Sequence, residues 1–147
     1  MLDYKYNQLE YYEWISHVSD YVKEKYGAEV DILAEDDAFI YEAKKGKIQV
    51  KGTTPPRDKL YILLHEVGHL VRLHENALDN TFFMDRVREV PQNEREKVMT
   101  LMEEVLAWHK ADEIAQRLNI PIEKRAWQRL INRSIDRYAN WACDKEV

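Results

Sequence analysis

The stretch YILLHEVGHLVRLHE, residues 61–75, decides how the rest of the chain is read. Tyr61, Ile62, Leu64, Val67, Leu70, Val71 and Leu73 would bury a helix on most of its circumference, and His65, Glu66 and His69 sit in the middle of it. Residues four apart on an α-helix lie on one face, one turn from each other. His65 and His69 can therefore aim both imidazoles at one point. Glu66, about 100° further round, can reach a water beside that point without joining the ligands. With 5 histidines and 16 glutamates in 147 residues, this H-E-x-x-H pattern arises by chance about 0.02 times per chain of this composition. Two unpaired histidines in so apolar a helix would be costly. Gly68 costs the helix about 1 kcal/mol relative to alanine, so it needs a reason such as the close approach of another backbone. The expectation is a zinc site with Glu66 as its base.

Around this helix the chain reads as a helix-rich α+β protein with a small sheet. From about Leu9 to Tyr26 apolar residues recur every three or four positions, and Gly27 stops the run. EVDILAE, AFIYEA and KIQVK are short, partly alternating segments, which predicts about three strands. GTTPP then punctuates the chain, and Pro56 biases Pro55 away from helical dihedrals. Helical periodicity resumes near Arg57 and runs to about Asn76. Residues 77–94 read as a loop or a short helix, with Phe82, Phe83 and Met84 as a lid or a minor core contact. A further helix spans about 93–118 and the last about 122–141, divided by Pro121. The expected organisation is one domain over residues 1–147, its core at 28–118 flanked by the first and last helices.

A catalytic zinc takes three protein ligands and keeps one open position. His74 and Glu75 follow the motif closely, but a continuing helix carries Glu75 about 9 Å beyond His69 and onto another face. The helix EKVMTLMEEVLAWHKADEIAQRL offers the adjacent pair Glu103 and Glu104, of which only one can face a buried metal. Glu104 shares a stripe with Ala107, Ala111 and Ala115, small residues that let another helix come close, whereas Glu103 lies on a more mixed face with Leu106 and Lys110. Glu104 is the preferred ligand and Glu103 its alternative. If both glutamates were solvated, they would instead pair with nearby cations along the helix.

RDKLYILLHEVGHLVRLH, preceded by KIQVKG, resembles the active-site helix and strand of the ImmA/IrrE-type metallopeptidases, small H-E-x-x-H proteins related to gluzincins. In that family a later helix supplies a glutamate ligand followed three residues on by alanine and then a polar residue. EVLAWHKA matches at Glu104 and Ala107, but Trp108 stands where Asn or Asp is usual. The resemblance covers about residues 28–118, and the last helix has no counterpart in it. It implies a zincin-like fold and peptide-bond hydrolysis at a zinc held by His65, His69 and Glu104, with a protein substrate that can be a single regulatory protein.

The net charge of −5 disfavours nucleic acid as the main partner. Cys143 is the only cysteine, so no internal disulfide forms, and it reads as an incidental thiol. No basic-then-apolar leader opens the chain and no segment approaches the ~20 apolar residues of a membrane span, so a cytoplasmic protein is expected. Arg125, Arg129, Arg133 and Arg137 form a stripe on the last helix, opposite Trp127, Leu130, Ile131 and Tyr138. The bland reading of that stripe is a solvated face, free to pair with the acidic 29–42 region. The alternative function is a non-proteolytic regulatory module that keeps the fold and contacts nucleic acid or an acidic partner through these arginines.

Overall fold

The computed structural model describes residues 4–42, 45–75 and 94–143. Helix α1 (Gln8–Tyr26) opens on a reciprocal cap. The Glu10 N–H donates to Asn7 Oδ1 and the Asn7 N–H to Glu10 Oε2, each at 2.9 Å. It closes at Gly27, whose φ of 65° is left-handed and open to glycine at little cost. Its buried face is Tyr11, Ile15, Val18 and Val22, the expected periodic stripe.

Three strands follow, β1 (Glu29–Ala34), β2 (Ala38–Glu42) and β3 (Lys45–Lys51), in the spatial order β1-β3-β2. β1 runs parallel to β3 and β2 antiparallel to it, which makes the sheet mixed. Along β3, Gly46, Ile48 and Val50 are buried while Lys45, Lys47 and Lys51 are exposed, so one face is dry and the other faces water. The dry face carries α2 (Pro56–His74). A Cβ on Gly46 would come within 3.0 Å of the Leu70 side chain, so that side chain of α2 seats directly on the strand at Gly46.

α2 is the central element. Pro55 caps it at φ −59° and ψ 151°, the extended geometry expected before a proline, and Pro56 takes a first-turn position where no N–H is needed. Its residues Leu60, Tyr61, Leu63, Leu64, Val67, Leu70 and Val71 are fully buried. Lys59 is buried too, its ammonium donating to the carbonyls of Ile32 (2.9 Å) and Gly52 (3.1 Å), which pins the ends of β1 and β3 to the helix start.

α3 (Glu94–Arg117) lies along α2 in the most extensive interface of the molecule, and α4 (Lys124–Cys143) leans on α3. Between them Asn119 takes a left-handed φ of 57°, and Ile120 N–H closes back on Ala115 O. Glu123 then ties the start of α4 to α1 and α2. It accepts from Tyr11 Oη and from the Lys5 N–H, stands 3.6 Å from the Arg57 guanidinium, and its own N–H donates to Tyr61 Oη at 2.9 Å. Trp127 closes the core, edge-on to Tyr61 and to Trp108 at 5.1 and 5.2 Å. No described helix is long and apolar enough to cross a membrane. The expected lid around Phe82–Met84 lies outside the described residues.

Candidate metal centre

The helical pitch of α2 places His65 and His69 one turn apart, their rings 4.7 Å apart and nearly perpendicular. Both are buried. Facing them from α3 is Glu104, whose two carboxylate oxygens lie 3.1 Å from His65 Nε2 and 2.7 Å from His69 Nε2. One ligand atom from each of the three residues falls within 4.8 Å of the other two, an arrangement that could hold a metal ion.

The two helices meet this closely because of the residues expected to permit it. A Cβ built on Gly68 would stand 2.2 Å from the carbonyl oxygen of Ala107, so a side chain there would collide with the α3 backbone itself. Ala107, Ala111 and Ala115 are all buried in the same seam. The glycine in the middle of α2 thus gives up helix propensity for an interhelical distance that a glutamate can span.

Both glutamates are buried, at 6% exposure for Glu103 and 8% for Glu104, which excludes the solvated pair. Their roles divide. Glu103 Oε2 accepts from His69 Nδ1 at 2.8 Å, and its other oxygen accepts from Arg72 Nε at 2.9 Å. A carboxylate on Nδ1 holds the ring in the tautomer that leaves the Nε2 lone pair free, and it raises the basicity of that nitrogen. Arg72, one turn beyond His69, holds the Glu103 carboxylate in place. The i,i+3 spacing of His69 and Arg72 is legible in the sequence, but the acid they share is not.

His65 is held differently. The Trp108 ring stacks on it at 4.2 Å and 25°, and Trp108 Nε1 donates to Ser134 Oγ of α4 at 3.4 Å. The buried His65 Nδ1 has no hydrogen-bond partner among the described residues. Trp108 therefore positions His65 by stacking instead of by a polar bond.

Glu66 is partly buried and borders an open cleft of about 580 Å³ with His65, Glu104, Trp108, Arg137 and Tyr138. Burial pushes its carboxyl pKa upward against the pull of the two imidazoles, and the Glu104 charge adds to the rise. Burial would raise Glu104 as well, but the His69 and His65 imidazoles outweigh it and hold its carboxyl well below the usual range. For His69 burial is overcome in the opposite sense, since Glu104 and Glu103 raise it well above an ordinary histidine. Tyr138 stays protonated far into the alkaline range because it is buried and faces the charges of Glu104 and Glu66.

Other sequence candidates fall elsewhere. Glu75 caps the end of α2, exposed and paired with Lys110 at 3.0 Å, and His74 packs against Tyr26 and Tyr41. His109 is exposed, Trp127 is core, and Cys143 is an exposed free thiol. The arginine stripe does not lie opposite Leu130 and Tyr138. Arg133 and Arg137 line the same cleft as both, because neighbouring stripes of one helix can border a single opening. Compared with protein-family models, with curated proteins and with solved structures, the chain matches none.

Proposed function

We propose that the chain is a zinc-dependent peptidase of zincin-like, ImmA/IrrE-type architecture, in which His65, His69 and Glu104 hold the metal and Glu66 is the general base. The observation that carries this reading is the separation of roles at one point. Three buried ligand groups converge, while a separate acid, Glu66, faces the open cleft beside them with its pKa raised towards that of a working base. A purely structural zinc would be closed by four ligands and would have no use for Glu66. The donor set of two imidazoles and one carboxylate suits zinc.

Zinc bound there supplies a Lewis acid that polarises a peptide carbonyl and lowers the pKa of water towards ~7. The protein's own groups then act in sequence. Glu66 takes a proton from the attacking water and returns it to the leaving amine nitrogen. Tyr138, reaching in from α4, donates its hydroxyl hydrogen to the carbonyl oxygen as that atom gains charge, and its raised pKa keeps the hydrogen in place. Glu103, itself held by Arg72, fixes the His69 tautomer, and Trp108 fixes the His65 ring. The substrate is a protein or peptide, a regulatory protein by analogy with the family resembled, and the compartment proposed is the cytoplasm.

Metal analysis of the wild type, His65→Ala and Glu104→Ala after zinc-replete purification tests the centre. One zinc per chain is expected in the wild type and loss of it in both variants; full retention in Glu104→Ala removes the third ligand. Glu66→Gln is expected to keep zinc and lose cleavage of a randomised peptide mixture, and wild-type turnover in that variant would refute the mechanism.

A further inference from the structure

Arg133 and Arg137 line the cleft that holds His65, Glu66 and Glu104. A second cleft of about 560 Å³ continues from it, sharing Asp58 and Arg133 and bordered further out by Arg57 and Arg129. Three of the four stripe arginines thus lie along one track, which starts at the metal centre and follows α4. None of the three is ion-paired among the described residues. The carboxylates beside them are largely engaged: Asp37 accepts the Lys51 N–H at 2.8 Å, and Asp58 stands 3.8 Å from Arg57 Nε. Asp136 borders the outer cleft as well.

The spacing of the arginines has a counterpart in an extended peptide. Residues four apart on a helix are separated by about 6 Å along its axis. Side chains on one face of an extended chain recur every second residue, at about 6.6 Å. We infer that the track binds the substrate beside its scissile bond as an extended segment carrying acidic side chains at alternate positions, met in turn by Arg137, Arg133 and Arg129. The inference rests on the peptidase reading and adds to it the class of substrate. Guanidinium pairs carboxylate in a planar, two-pronged geometry that an ammonium does not offer, so arginine suits this role.

Peptide hydroxamates with amidated C-termini, titrated calorimetrically into the zinc-loaded protein, test it through binding and not turnover. Probes carrying Glu or Gln at each of the three positions nearest the hydroxamate are compared. A Glu probe is expected to bind about tenfold tighter than its Gln twin, with the advantage shrinking as salt rises. A second Glu two residues away should add to the gain, while one directly adjacent should not. Arg133→Gln/Arg137→Gln should keep its zinc and lose the difference. Equal binding of Glu and Gln probes overturns the inference and leaves the metal centre standing. A gain confined to a Gln probe with a free C-terminal carboxylate also overturns it, as does displacement by a single-stranded oligonucleotide of Glu and Gln probes alike. If no hydroxamate binds the zinc-loaded chain, the peptidase reading fails and the inference with it.

Discussion

Replacing Gly68 by alanine sets two physical effects against each other with opposite signs. Helix propensity favours Gly68→Ala by about 1 kcal/mol, since α2 is helical on both sides of the site. The interface opposes it. The new Cβ would lie 2.2 Å from Ala107 O, 3.1 Å from its carbonyl carbon and 3.4 Å from its Cα, against a comfortable separation of about 3.5 Å. These are backbone atoms of a packed helix, which cannot swing aside as a side-chain tip can. Relief therefore requires α2 and α3 to part by about 1 Å. Overpacking of this kind costs about 1–3 kcal/mol, and contact with backbone puts it at the upper end. A net loss of about 2 kcal/mol is expected, or roughly 4–8 °C in melting temperature for a chain of this size. The same movement separates His65 and His69 from Glu104, and metal sites tolerate only about ±0.2 Å in ligand distance. Urea denaturation of the metal-free protein would read the stability, and zinc competition against a chelating dye would read the affinity. A metal-free variant that is more stable by about 1 kcal/mol, with unchanged zinc affinity, would refute the packing argument.

Glu103→Gln should weaken zinc binding by about 10–100-fold without abolishing it, since it loosens His69 and strands Arg72 but leaves the three ligands in place; unchanged affinity would show that Glu103 has no part in positioning. For Tyr138→Phe, zinc content and KM should hold while kcat falls by about 10²–10³, the loss typical of one oxyanion donor; an unaltered kcat would rule the hydroxyl out. The stability of the protein should respond to pH in opposite directions with and without zinc. In the metal-free chain His69 binds its proton more tightly folded than unfolded, so its stabilisation is whole below pH 6.5 and is lost as pH rises through the raised folded value. Glu104 is held below its ordinary 4.5, so its contribution is present above that pH and is lost as pH falls towards the lowered folded value. Zinc competes with these protons, so its stabilisation should grow with pH. Melts from pH 4 to 9 with chelator and with zinc would check this, and a metal-free melting temperature flat from pH 6.5 to 8 would count against the His69–Glu104 pair.

Much of this molecule can be read without its coordinates, for reasons particular to each element. α1 announces both its ends, through Asn7 with Glu10 and through Gly27, and its buried stripe has the helical period. β3 alternates Lys45, Lys47, Gln49 and Lys51 with Gly46, Ile48 and Val50, so its dry face is visible in the chain. Gly68 and the Ala107–Ala111–Ala115 stripe together mark a close helix crossing, although neither helix names its partner. The assignment of Glu104 over Glu103 follows from that stripe, and Glu104 is the residue that reaches both Nε2 atoms. Reading Glu103 as part of a mixed face missed its place behind His69. A stripe is a property of one helix, whereas Glu103 is held by Arg72 and His69 of the other.

The residues that line the cleft from α4 are a different matter. Tyr138 is one of nine tyrosines, and Arg133 and Arg137 belong to a stripe that a solvated helix could equally carry. Their approach to the centre depends on the crossing of α4 over α3, set by Trp127 against Tyr61 and Trp108 and by the ties of Glu123 to α1 and α2. The chain by itself determined the elements, the spacing of His65, Glu66 and His69, and the small residues of the seam, because these are properties of a few consecutive turns. Only the tertiary structure decided that Glu103 stands behind His69, and which tyrosine and which arginines face the cleft. The rotation and axial offset of one helix against another come from side chains distant in sequence packing together, and no local period records them.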